Sequence, residues 1–268
     1  MQRSMSHAPP RTILLIHGAW MTPASWEGWR RRYDGLGHAV TGPAWPQHDR
    51  PVAELNATPD PKLGLLNVRK LVDHYARYVK LMPEPPILIG HSFGGLVVQM
   101  LLDRGLGACG VAIAPVPPAG IKPGLPALLT ALPVLLTPGA ASGAVRLPFA
   151  RFARTFANGL PADQRREAWE TQVVPEAGRL FYQAASGVEM SVKWANPKRP
   201  PLLLVAADDD RTVQPAMVRA AFEKHRAAPA LTEFKTLPGR SHYLCNEPGW
   251  EALADDVLAW ATANARPA

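Results

Sequence analysis

Residues 87–95, which read ILIGHSFGG, constrain the fold of this chain more than any other segment. An apolar run ends at residue 89, and a glycine-rich turn around Ser92 leads into a second apolar run from Leu96. Gly-x-Ser-x-Gly between a strand and a helix is typical of a nucleophile elbow, which presents a serine hydroxyl above a sheet. Glycine is needed at positions 90 and 94 because larger residues would collide within the tight turn. The motif therefore predicts a strand-turn-helix unit with a nucleophilic serine at position 92.

Several short apolar runs predict the strands of the fold. Unbroken runs of this kind are typical of strands that are buried on both faces of a parallel sheet. They occupy residues 12–16, 87–89, 110–114 and 202–206. A more mixed run at residues 231–237 predicts a strand near the sheet edge. Helical spacing of apolar residues over 66–82, 96–102 and 250–260 separates the runs, so the pattern predicts an α/β fold with a mostly parallel, doubly wound sheet.

Residues 115–200 interrupt this alternation without a convincing strand. The segment starts rich in proline and apolar residues and becomes helical and arginine-rich, and it is too long for a connecting loop. We therefore expect a predominantly helical cap inserted at 115–200. The core is then expected at 11–114 and 201–268, after a flexible tail at 1–10.

Composition excludes several classes of protein. The 268 residues are 47% apolar and 19% charged, which is globular composition, and the two cysteines are too few for a disulfide framework or a four-cysteine zinc site. The net charge is +7, but the basic residues are scattered along the chain, and no basic run alternates with aromatics. We therefore expect no nucleic-acid partner. The most apolar stretch, 126–141, is too short to span a bilayer and is broken by Pro133 and Pro138, and residues 1–10 lack an apolar core. We expect a cytoplasmic protein without stable membrane insertion.

The order of these features resembles the α/β-hydrolase family over nearly the whole chain. An early His-Gly turn, the elbow, a cap insertion, an acid after a late strand and a histidine near the end follow in the family's order. The opening at residues 16–20, IHGAW, is similar to that of cap-bearing esterases, including plant methyl esterases and hydroxynitrile lyases. The chain departs from many family members at residues 42–48, GPAWPQH, where they carry Asp-x-x-Gly-x-Gly.

The resemblance assigns the base and the acid that a catalytic serine needs. The family's order places the base at His242, between the last predicted strand and the last helix, and imidazole exchanges protons near neutral pH. The family spacing small-x-x-Asp-x-x-Val favours Asp210 as the acid, with Asp208 and then Asp209 as alternatives in the same loop. Such an acid holds the imidazole in one tautomer and stabilises its charged form.

The resemblance also implies an oxyanion hole and a substrate pocket. Two backbone N–H groups are expected to stabilise the oxyanion, one from Phe93 after the nucleophile and one from Ala19 after the His-Gly turn. Trp20 is a candidate for the pocket, with a place in the core of the first helical region as the alternative. The full set of candidate pocket residues is Trp20, His91, Leu128, Leu132 and Phe152.

These residues imply a serine hydrolase that needs no metal or cofactor. The expected partner is a small-molecule ester with an apolar acyl or alcohol group, cleaved through an acyl-enzyme. The same site would also suit acyl transfer, cleavage of an amide, lactone or carbon–carbon bond, or hydroxynitrile cleavage. Ser92 argues against a haloalkane dehalogenase, which uses an aspartate there. A ligand receptor with residual hydrolase activity and a lipid-surface enzyme are the alternatives from other classes.

Overall fold

A six-stranded parallel sheet lies at the centre of the computed structural model, which describes residues 11–122, 124, 131–132 and 134–267. Its strands follow the order β2-β1-β3-β4-β7-β8, and every neighbouring pair is parallel. The described strands are β1 (Thr12–Ile16), β2 (Ala39–Thr41), β3 (Ile87–His91), β4 (Cys109–Ile113), β5 (Ala144–Val145), β6 (Glu176–Ala177), β7 (Leu202–Ala207) and β8 (Thr232–Leu237). The predicted α/β fold with a mostly parallel sheet is confirmed.

The apolar runs of the sequence correspond to β1, β3, β4 and β7, and the mixed run forms the edge strand β8. The sequence analysis did not identify β2, at the opposite edge. This strand has three residues, and none of them is fully buried, so no apolar run marks it.

Helices pack on both faces of the sheet and also form part of the region between β4 and β7. They are α1 (Glu27–Gly35), α2 (Val52–Ala57), α3 (Val68–Leu81), α4 (Phe93–Asp103), α5 (Phe149–Arg151), α6 (Ala162–Gln172), α7 (Gly178–Ser186), α8 (Pro215–His225) and α9 (Trp250–Asn264). Three 3₁₀ turns lie at Pro23–Trp26, Pro61–Leu65 and Ala140–Ser142, and a π-helical segment, Phe152–Phe156, continues directly from α5. Helix α4 begins at Phe93, immediately after Ser92, rather than at Leu96.

The two faces of the sheet bury separate apolar cores, because successive strand residues point to opposite faces. Leu14 and Ile16 of β1 join a core that also contains residues of α3, α4 and α8. Ile13 and Leu15 join a second core with residues of α1 and α9. Burial on both faces explains why the strands read as unbroken apolar runs.

The described part of residues 115–200 contains α5, α6, α7 and one short antiparallel pair, β5 with β6. The expectation that this region lacks strands was therefore wrong, since two-residue strands are too short to leave a periodic pattern. In the part of the chain that the structure describes, no helix is both long and apolar enough to cross a bilayer. The division of the chain into core and cap stays a prediction.

Candidate active site

Ser92 occupies a strained turn between β3 and α4. Its backbone has φ 55° and ψ −120°, in the left-handed half of conformational space that non-glycine residues rarely adopt. A Cβ atom on Gly94 would overlap the backbone carbonyl of Ile16, and one on Gly90 would overlap the carbonyl of Gly94. The two glycines thus let the turn pack against β1, which holds the serine at the carboxyl end of the sheet.

The side chains of Ser92, His242 and Asp210 form a continuous hydrogen-bonded chain. The Nε2 atom of His242 lies 2.9 Å from Ser92 Oγ, and its Nδ1 atom lies 2.6 Å from Asp210 Oδ2. An ionised carboxylate only accepts hydrogen bonds, so Nδ1 carries the proton and Nε2 is free to accept the serine hydroxyl. All three residues are buried, and they follow strands β3, β8 and β7. Parallel strands bring these loops to one edge of the sheet.

The structure distinguishes Asp210 from its two acidic neighbours. Asp210 is buried, and its second oxygen accepts backbone N–H groups of the following loop at 2.7 and 2.8 Å. Asp208 and Asp209 are exposed, and their hydrogen bonds are made away from the imidazole. Of the three candidate acids, only Asp210 contacts His242.

Two backbone N–H groups of residues next to Ser92 in the cavity have no hydrogen-bond acceptor among the described residues. They belong to Ala19, in the turn after β1, and to Phe93, the first residue of α4. Both residues line the same cavity as Ser92. The amino-terminal end of α4 adds a positive partial charge at this position, so the arrangement is suited to bind an oxyanion.

His91 lies behind His242 rather than in the cavity. Its Nε2 atom donates to the backbone carbonyl of His242 at 2.8 Å, and the two ring centroids are 4.7 Å apart. Burial, together with the nearby His242, holds the pKa of His91 well below its usual value, so the ring stays neutral. The candidate assignment of His91 to the pocket is corrected: the hydrogen bond turns its ring towards the histidine loop.

Ser92 opens into an apolar cavity with about 760 Å³ of empty space, solvent at its mouth included. Four aromatic side chains contribute to its wall: Trp20, Phe93, Phe156 and Phe181. Aliphatic side chains form most of the remainder, and Thr212 is the polar lining residue besides Ser92 among those described. No charged side chain lines the described part of the cavity. The cavity wall is therefore suited to bind an uncharged, apolar group.

The candidate pocket residues are distributed differently from expectation. Trp20 lines the cavity, whereas Phe152 is buried behind the wall and stacks on Phe156 with 5.5 Å between ring centroids. Leu132 is 42% exposed and does not line the cavity, and Leu128 lies outside the described residues. The assignments of Phe152 and Leu132 are therefore corrected.

Phe156 and Phe181 also line the cavity, although neither is among the five candidate pocket residues. The ring of Phe156 meets the imidazole of His242 edge-on, with 4.6 Å between centroids. Phe181 stacks on Trp20 at 4.3 Å. The sequence places apolar residues at these positions, but which of them reaches the cavity depends on how the region packs onto the sheet.

The titratable residues of the described chain do not form a metal site. No group of three or more His, Cys, Asp or Glu side chains in the described residues is arranged to hold an ion.

Comparison with known proteins agrees with this fold. The model of the alpha/beta hydrolase family matches residues 13–256, and no curated protein sequence matches the chain. A monoacylglycerol lipase of Paleococcus ferrophilus has a similar structure, with 18% identity and a TM-score of 0.68 over 96% of this chain and 97% of that chain. A pyrethroid hydrolase from Sphingobium faniae JZ-2 is 20% identical, with a TM-score of 0.68 over 95% and 98%. Tomato methylketone synthase I, complexed with 2-tridecanone, is 17% identical, with a TM-score of 0.70 over 96% and 99%.

Proposed function

Because this chain belongs to the alpha/beta hydrolase family, we propose that it is a serine hydrolase that cleaves a carboxylic ester with an apolar acyl or alcohol group. The observation that carries the proposal is the hydrogen-bonded chain from Asp210 through His242 to Ser92, which ends in an apolar cavity. Ser92 is the nucleophile, His242 the general base and acid, and Asp210 the residue that orients the imidazole.

The reaction proceeds in two acyl-transfer steps. Ser92 Oγ attacks the ester carbonyl while Nε2 of His242 takes the hydroxyl proton, and the N–H groups of Ala19 and Phe93 bind the resulting oxyanion. Collapse of this intermediate breaks the ester bond, and the alcohol leaves with the proton from His242. Water then gives a proton to His242 and attacks the acyl-enzyme, and the second intermediate releases the acid and free Ser92.

The cavity favours a neutral substrate. A charged group would lose its hydration there without meeting an opposite charge in the described wall, which is unfavourable. The similar structures include a monoacylglycerol lipase and a pyrethroid hydrolase, two proteins whose names describe hydrolases. In this proposal residues 11–114 and 201–268 supply the chemistry, and the cap at 115–200 supplies Phe156 and Phe181 to the pocket.

Hydrolysis of p-nitrophenyl esters from acetate to laurate tests the proposal. We expect turnover by the wild type, and its loss in Ser92→Ala and His242→Ala, because each variant removes one partner of the proton transfer. Ser142→Ala is the matched control, since this exposed serine of the cap bonds only to the backbone of its own turn. Circular dichroism and thermal melting check that each variant is folded.

Full turnover by a folded Ser92→Ala variant would exclude the serine mechanism. Added alcohols distinguish the alternatives at the same site: transesterified products would show an acyltransferase, and free acid would show a hydrolase. A single slow turnover with retention of the ligand would indicate a receptor.

A further inference from the structure

A second buried polar network lies against the turn after β1, and neither of its main residues is a candidate site residue in the sequence. It joins His48, in the loop after β2, to Glu176, in β6 of the cap. Both side chains are almost completely buried, and His48 Nε2 lies 3.3 Å from Glu176 Oε2. A buried carboxylate is costly to a protein unless an opposite charge and hydrogen bonds compensate it.

The contacts of its two ring nitrogens bear on the protonation of His48. His48 Nδ1 lies 3.2 Å from the carbonyl oxygen of Pro46, which only accepts, so Nδ1 carries a proton. Its Nε2 lies 3.3 Å from Glu176 Oε2 without forming a hydrogen bond, so the two groups attract each other through charge when the ring is protonated. Burial is the largest single influence and lowers the pKa of His48, but the interactions with Glu176 and with nearby backbone carbonyls together raise the pKa above its usual value. The raised pKa favours the charged imidazolium opposite the Glu176 carboxylate.

Residues of the cap form hydrogen bonds with the backbone and the indole N–H of Trp20. The Trp20 N–H donates to Glu176 Oε2 at 3.4 Å, and the Trp20 carbonyl accepts from Val174 N at 2.9 Å. Its indole Nε1 donates to the carbonyl of Val145 at 2.9 Å. Trp20 has φ 64°, an unfavourable conformation for a residue with a side chain, so the turn relies on its surroundings to maintain it.

This turn carries the Ala19 N–H, one of the two N–H groups proposed to bind the oxyanion. Ala19 immediately precedes Trp20, so the backbone angles of the turn determine where the Ala19 N–H points. From the core side, His17 Nδ1 lies 3.0 Å from the Gly18 carbonyl, and its Nε2 accepts from Trp45 N at 3.2 Å. His17 therefore supports the turn from the sheet, and Glu176 supports it from the cap.

We propose that Glu176, held by His48, is a positioning residue that fixes the oxyanion-binding turn at residues 18–20 and so couples docking of the cap to stabilisation of the transition state. The proposal rests on the function proposed above. Glu176 does not line the cavity, so it acts on the position of the Ala19 N–H and not on binding of the apolar substrate.

Glu176→Gln separates this role from simple support of the fold. A glutamine keeps the size of the side chain, but one of its two terminal atoms becomes an NH₂ group. The side chain then cannot accept from both Ala177 N, which now donates at 2.7 Å, and Trp20 N. Glu170→Gln is the matched control, because Glu170 is an exposed cap residue on α6.

The kinetic test compares these variants on one p-nitrophenyl ester and on an alkyl trifluoromethyl ketone, which forms an oxyanion adduct with a serine. We expect Glu176→Gln to lower kcat by about tenfold to a hundredfold with KM within twofold, because a displaced donor loses part of its effect. Affinity for the ketone should fall by a similar factor. His48→Gln should act in the same direction, and the double variant should lose little more than Glu176→Gln alone, because the two residues act as a pair. An unchanged kcat, with or without a rise in KM, would overturn the proposal.

Hydrogen exchange of the backbone provides a test that does not depend on turnover. We expect faster exchange at residues 18–21 in Glu176→Gln, with Glu170→Gln matching the wild type. Wild-type exchange there in Glu176→Gln would refute the positioning role even if the ester chemistry is correct. Turnover that survives Ser92→Ala would instead refute the proposed function, so the two failures are distinguishable.

Discussion

At the scale of single residues, the environment of a carboxyl group distinguishes Asp210 from Asp208 and Asp209. Spacing in the sequence favoured Asp210 and left its two neighbours as alternatives. In the structure Asp210 is buried beside His242 and accepts two backbone N–H groups, which keep its carboxylate oriented. The other two side chains are exposed and bond to groups other than His242.

Asp210→Asn should reduce kcat by about 10⁴-fold, because an amide donor at this position stabilises the wrong imidazole tautomer. Asp209→Asn is the matched control and should retain kcat within about twofold, since its exposed ion pair with Arg211 contributes little. Steady-state kinetics on the same ester measure both. Equal losses in the two variants would contradict the assignment of the acid.

The pair of His48 and Glu176 makes stability depend on pH in a defined direction. The pKa of His48 is raised in the folded protein, so the protonated pair contributes fully below the unfolded value of about 6.5. That contribution is lost as pH rises from there through the folded pKa. The titratable side chains facing His48 in the described structure are Glu176 and His17, and burial keeps the pKa of His17 low.

Urea unfolding of wild type and His48→Gln at pH 6 and pH 9 measures this effect. We expect the wild type to be more stable than the variant by a larger margin at pH 6 than at pH 9. A margin that grows with pH would show that His48 is neutral in the folded protein.

At the scale of elements, the turn between β3 and α4 depends on the absence of side chains. Gly94 lies against the carbonyl of Ile16, and Gly90 lies against the carbonyl of Gly94. Backbone atoms cannot move aside as a flexible side chain can. The elbow can therefore form only where these positions lack a Cβ atom, and for this reason the two glycines identify it in the sequence.

Gly94→Ala should destabilise the protein by about 3 kcal/mol, since the added methyl group must displace β1 or α4. Gly35→Ala is the control, because a Cβ atom there meets nothing within 4 Å. Its stability should stay within about 0.5 kcal/mol of the wild type. Denaturant unfolding compares the two, and an equally stable Gly94→Ala variant would show that the turn can relax.

At the scale of the whole molecule, packing of the sheet and its helices protects both cysteines. Cys109, in β4, and Cys245, after the histidine loop, are both buried. Burial raises the pKa of Cys109 to about 12 and that of Cys245 well above its usual value. A thiol reacts as its thiolate, so both groups should be inert in the folded protein.

We expect the native protein at pH 8 to release almost no thionitrobenzoate from Ellman's reagent and to keep its esterase activity. The urea-unfolded protein should react at both cysteines. Rapid modification of one thiol in the native protein, with loss of activity, would show that the region around His242 opens in solution.

Part of this fold and site was predictable because the governing interactions are local in sequence. The apolar runs mark strands buried on both faces, and the glycines around Ser92 satisfy a steric requirement within a few residues. The histidine on α8 shows the limit of such patterns. His225 is buried, and its Nε2 lies 3.1 Å from Gln99 Oε1. Its burial depends on α4, which is distant in sequence.

The sequence by itself predicted the parallel sheet and the turn at Ser92, because short-range spacing and steric exclusion specify them. Its resemblance to a known family supplied the order of the serine, acid and histidine candidates. Only the tertiary structure selected Asp210 through its contact with His242, placed Phe156 and Phe181 in the cavity wall, and joined Glu176 to Trp20. These contacts link residues that are far apart along the chain, and no periodic pattern records them. They depend on how the region between β4 and β7 packs onto the carboxyl edge of the sheet.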